Sequence, residues 1–108
     1  MASLYGIETE DACREKIDEL LEMCRRAEQA MNKLEIAVLK SRLQEDYKEG
    51  DTQEGRDQMS DVESSFYWPA IRDAYEKTPK LTSPKMWPAG LHEIASSLQH
   101  YRPKEHIE

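Results

Sequence analysis

From Glu10 to Lys48 the chain carries no glycine or proline, and its apolar residues return at steps of three and four. Ile17, Leu20, Cys24, Ala27, Met31, Leu34 and Val38 form a heptad stripe, the pattern of helix packed on helix. The spacing predicts one helix over residues 10–48. Thr9 suits its N-cap, Glu10 and Asp11 suit the positive end of its dipole, and Gly50 suits its stop. Such a rod would be about 60 Å long, whereas a compact domain of this size has a radius of gyration of about 13 Å.

The two halves of this stretch differ. The first keeps a narrow stripe, flanked by Leu21 and Met23. The second adds Ile36, Ala37, Leu39 and Leu43, so apolar groups spread nearly all round it. A helix that is apolar on every side is buried on every side. Two short remaining helices are too few to enclose it, so one side is expected to meet this chain and the other a partner. The expectation is a homodimer of long, antiparallel helices. Ile17, Leu20, Cys24, Met31, Leu34, Ile36, Leu39 and Leu43 are its interface.

Two further helices follow. Met59, Val62, Phe66, Tyr67, Ala70, Ile71, Ala74 and Tyr75 give a broad apolar face over residues 58–77, with Pro69 inside it as a kink. Trp87, Leu91, Ile94, Ala95, Leu98 and Tyr101 share one face of a helix over residues 88–101, opened by Pro88 and closed before Pro103. Ser60-x-x-Glu63 spells a capping box. Residues 1–8 read as an arm whose Leu4, Tyr5 and Ile7 are apolar enough to dock. Residues 49–57 read as an acidic loop, or as a helical turn capped by Asp51, and residues 103–108 as a frayed tail. The class is all-α, a helical bundle in one domain.

Composition tightens this picture. The 108 residues are 38% hydrophobic and 34% charged, which leaves little apolar surface to spare, and self-association would bury more. The net charge of −7 argues against a nonspecific nucleic-acid binder. Arg26, Lys33 and Lys40 recur every seven residues, but glutamates flank that stripe. No apolar run approaches a membrane span and no secretory signal is spelled at the N-terminus, so a cytoplasmic location is expected.

Chemistry is poorly represented. There is no Gly-x-Ser-x-Gly, no phosphate-cradling glycine loop and no Glu-x-x-His pair. The acids after residue 45 do not fit a calcium-binding loop. His92 and His100 would lie about 12 Å apart on one helix, too far to share an ion. Cys13 and Cys24 would be about 16 Å apart, beyond disulfide reach, and read as small buried residues.

No cofactor or metal is expected, and no enzymatic activity. The leading expectation is a noncatalytic protein–protein interaction module: an adaptor, assembly factor or small regulator. Tyr67 and Trp68 would anchor a partner, and Glu45, Asp46, Glu49, Asp51, Glu54 and Asp57 would steer a basic one. The alternatives are an acidic inhibitor that blocks a basic enzyme or nucleic-acid site, and a small metalloprotein using His92, Glu93, His100 or the cysteines.

Overall fold

The computed structural model describes residues 3–104. Among them the chain forms five α-helices: α1 (Glu10–Ala30), α2 (Lys33–Gly50), α3 (Gln53–Asp57), α4 (Trp68–Glu76) and α5 (Trp87–His100). A π-helical turn, Glu63–Tyr67, leads into α4, and two short 3-10 turns, Thr78–Leu81 and Pro84–Met86, lead into α5. There is no strand among the described residues, so the all-α expectation holds.

The expected single rod is broken. Met31 adopts the left-handed conformation, at φ 45°, and its N–H closes α1 on the Ala27 carbonyl at 2.8 Å. Asn32 is extended, and its side-chain oxygen accepts the Glu35 N–H at 3.0 Å, opening α2. A C-cap and an N-cap thus sit on adjacent residues, and neither is glycine or proline.

This break changes what the chain can enclose. α1 packs on α2 and on α5, and α4 packs on α2 and on α5, so the four long helices close a ring. The interior is filled by Ile17, Leu20, Cys24 and Ala27 of α1, Ile36, Leu39 and Leu43 of α2, Ile71 and Ala74 of α4, and Leu91, Ile94 and Leu98 of α5. The radius of gyration is 13.9 Å, and the smallest extent, 17 Å, is about two helices thick. Most of the proposed dimer interface is therefore interior. Ile17, Leu20, Cys24, Ile36, Leu39 and Leu43 are covered by their own chain, because four helices can wrap what two could not. Met31 and Leu34 alone of that set stay exposed.

The second expected helix runs continuously over residues 61–76. Proline at 69 cannot donate to the Ser65 carbonyl. The turn just before it is wide, with the Trp68 N–H bonded to the Glu63 carbonyl five residues back. The acidic loop is instead the end of α2 followed by the single turn α3, whose cap is Thr52: its hydroxyl accepts the Gly55 N–H at 2.8 Å. The third helix begins at Trp87, and the indole N–H of Trp87 donates to the Leu81 carbonyl at 2.7 Å, pinning the preceding corner. Gly90 allows that corner to lie close, since a Cβ there would fall 2.8 Å from Leu81 Cδ2.

Both chain ends are tied down where they are described. Arg102 makes a two-pronged pair with Asp18 at 2.8 and 3.1 Å, and Arg14 Nε donates to the Pro103 carbonyl at 3.3 Å. Residues 103 and 104 are thus anchored rather than frayed; residues 1–2 of the arm and 105–108 of the tail lie outside the described part.

Candidate functional site

The residues expected to meet a partner divide into an internal set and an exposed set. Thr9 caps α1 as expected, accepting the Ala12 N–H at 3.1 Å. The arm before it folds onto the π turn. Glu63, fully buried, accepts the Ser60 N–H at 2.8 Å through one oxygen and the Tyr5 and Ile7 N–H groups at 2.7 and 3.2 Å through the other. Ser60 returns the favour to the Glu63 N–H at 3.1 Å, completing the capping box, and its hydroxyl donates to the Ile7 carbonyl at 2.6 Å.

Tyr67 is part of this buried cluster, not a surface anchor. Its hydroxyl donates to the Asp46 carboxylate, which also lies 3.5 Å from Arg42 Nε. The Tyr5 hydroxyl donates to the Asp46 carbonyl at 2.7 Å, and the two tyrosine rings meet at 4.8 Å. Burial, and then the neighbouring Asp46 charge, push both phenols well above their ordinary range. They are neutral donors at any physiological pH. Trp68 is interior as well, 8% exposed, against Tyr47 at 5.4 Å and the bare Cα of Gly50. The expected aromatic anchor is thus part of the packing. Asp46 is likewise consumed inside. Glu45, Glu49, Asp51, Glu54 and Asp57 remain exposed.

The basic stripe also divides. Arg25 and Arg26 end on α1 and reach Glu22 at 2.7 and 3.9 Å. Lys33 and Lys40 belong to α2, beyond the break. Neither makes an ion pair among the described residues.

Elsewhere the polar groups serve structure. Lys77 donates to Ser97 Oγ at 2.7 Å and to the Asp73 carbonyl at 3.3 Å, near the C-terminal end of α4. Burial pushes the Cys13 and Cys24 thiols up to about 12, so both are protonated and poor nucleophiles at neutral pH. Cys24 Sγ donates to the Leu91 carbonyl at 3.4 Å. His92 and His100 are exposed, and no three His, Cys, Asp or Glu side chains among the described residues converge as metal ligands.

The surface that stands out is the outward side of α2. Leu34 is 71% exposed and Val38 46%, with Ala37 between them and Met31 at the head of the helix. Leu34, Ala37 and Val38 lie within little more than one turn of α2, whose other side holds Ile36, Leu39 and Leu43 in the core. A shallow depression lies on each flank of this ridge. One, beside α1, is lined by Met23, Leu34, Val38 and Glu45. The other, beside the Thr78–Trp87 corner, has a volume of about 350 Å³. Its floor is Ile36, Leu81 and Trp87, and Lys33 and Lys40 stand on its rim. The all-round apolarity of residues 34–43 was the signal for this surface.

No family model, curated protein or solved structure matches this chain. No helix among the described residues is long and apolar enough to cross a membrane.

Proposed function

We propose that this protein is a noncatalytic interaction module whose binding surface is the outward face of α2. The observation that carries the reading is the 71% exposure of Leu34 beside the half-exposed Val38, on a helix whose opposite side is already satisfied. A lone exposed leucine is ordinary. A contiguous apolar ridge with a depression on each flank is the shape that a partner covers. The acidic segment from Glu45 to Asp57 plays a secondary part here, as a solvated face that keeps the charge negative. A cytoplasmic location goes with the reading, in keeping with two unpaired thiols.

Site-specific photocrosslinking in the native cell tests this. A photoreactive residue at Leu34 should give a discrete protein adduct, and the same residue at the exposed Gln99 should not. An adduct with a second copy of the chain would make the partner a homodimer mate. Equal labelling at both positions, or none at either, overturns the reading.

A further inference from the structure

The flank of α2 that faces the Thr78–Trp87 corner carries a charge pattern opposite to that of the whole chain. The protein has a net charge of −7, yet the residues lining this groove include Lys33 and Lys40 and no acid. The depression beside α1 differs, since its lining includes both Arg42 and Glu45. The two lysines are seven residues apart, so they stand on the same side of α2, about 10.5 Å from each other along its axis. Between and below them the floor is apolar and recessed: Ile36 is 3% exposed, Leu81 2% and Trp87 8%.

Building on the reading that the outward face of α2 is covered, we infer that its occupant is an acidic amphipathic helix lying along α2 in this groove. The geometry of a helix matches the groove twice. Carboxylates at positions i and i+7 of a partner helix repeat every two turns, the spacing of Lys33 and Lys40. Apolar residues at i+3 and i+4 then project between the two charges, onto the exposed Ala37. The charges set orientation and register, and Ala37 with the aliphatic stems of the two lysines supplies the apolar contact. Against an anionic membrane stands the net charge of −7, which repels it over most of the surface. Nucleic acid is disfavoured by the net charge.

The test uses two synthetic helical peptides with the same leucine pattern, one with Glu at i and i+7 and one with Lys there. Alongside them run vesicles of phosphatidylserine and phosphatidylcholine. Binding is followed by fluorescence anisotropy of the labelled peptide and by sedimentation of the vesicles. The full chain should bind the Glu peptide at least about tenfold more tightly than the Lys peptide, with affinity falling as salt rises. The doubly reversed variant, Lys33→Glu with Lys40→Glu, should invert that preference. Both positions are on the rim, and the helical circular dichroism of the variant checks that it is folded. Equal affinity for the two peptides, binding to neither, or binding to phosphatidylserine vesicles alone overturns the acidic helix. The crosslink from Leu34 is read independently, so a positive crosslink with an indifferent peptide preference would remove this inference and leave the broader reading standing.

Discussion

The Glu63 carboxylate accepts the backbone N–H of Tyr5, at 2.7 Å, across 58 residues of sequence. With Ile7 and Ser60 it takes three N–H donors and is fully buried. A carboxylate satisfied in this way fastens the N-terminal arm to the start of the helix that leads into α4. It also makes one side chain answerable for two connections, the capping box and the arm.

The first prediction follows from that double duty. Glu63→Gln keeps the shape but turns one acceptor oxygen into a donor, so either the Ser60 N–H or the Tyr5 and Ile7 N–H groups face an amide NH₂. Hydrogen bonds to a charged acceptor contribute about 1.5–3 kcal/mol, and a buried donor left unmade costs a comparable amount. The variant should lose about 2–3 kcal/mol of stability in urea. Hydrogen exchange at Tyr5 and Ile7 should accelerate more than at core amides such as Leu20. Uniform exchange across the chain would show that the arm is not held separately.

The junction between α1 and α2 gives the second. Met31 is a non-glycine residue in the left-handed region, which costs about 1–2 kcal/mol, and its side chain is 38% exposed, so it contributes little burial there. Met31→Gly should raise stability by about 0.5–1 kcal/mol, since glycine takes this conformation freely. Asn32→Ala should lower it by about 1 kcal/mol, the worth of an N-cap. Thermal melts of the two variants settle both signs. If Met31→Gly destabilises, the break is held by contacts of the methionine side chain rather than by its backbone.

These two sites show where the sequence was readable. The helical class, the Thr9 cap, the Ser60–Glu63 box and the last helix follow from local spelling, and the heptad positions Ile17, Leu20, Cys24 and Ala27 are all core. The break was hidden because its left-handed residue is a methionine in a run of strong helix formers. Its one legible sign was Asn32-x-x-Glu35, the spelling of an N-cap with a glutamate three residues on. A whole rod cannot be enclosed by two short helices, so reading it as whole sends six interior residues to a dimer interface. The expected exposure of Trp68 fails for a separate reason. Trp68 stands at the edge of the apolar face of α4, where period alone does not decide burial. Its cover comes from Tyr47 and the bare backbone of Gly50, both in α2, a contact that no local spelling shows. The exposed Leu34 and Val38 were legible only as part of an excess of apolar residues, because period alone does not say which side the chain itself will cover.

The third prediction concerns Trp68. It closes the space between α2 and the arm, beside Tyr47 and over Gly50, where a Cβ would come within 2.5 Å of Trp68 Cε3 and also into the Tyr5 hydroxyl. Trp68→Ala should cost about 3–5 kcal/mol, as for other large core truncations. Gly50→Ala should also destabilise, by pushing Trp68 and Tyr5 away together. Equilibrium unfolding in urea measures both. A Trp68→Ala protein as stable as wild type would put the indole back on the surface as a binding group.

The last prediction is alkaline sensitivity. Cys13 and Cys24 are raised by burial from their ordinary value of 9.0 to about 12, so in the native state each holds its proton where the unfolded chain has released it. Above pH 9 the native protein therefore binds more protons than the unfolded one, and stability falls as pH rises. The contribution is fully present below pH 9 and is lost progressively up to about pH 12. The Tyr5 and Tyr67 phenols act in the same direction from pH 10 upward, again through burial first. The urea midpoint should accordingly be flat near neutrality with respect to these groups and decline from pH 9. Replacing both cysteines by alanine should delay the onset of the decline to about pH 10, where the tyrosines take over. An onset that stays at pH 9 in the double variant would show that other groups drive the decline and that the two thiols contribute nothing to it.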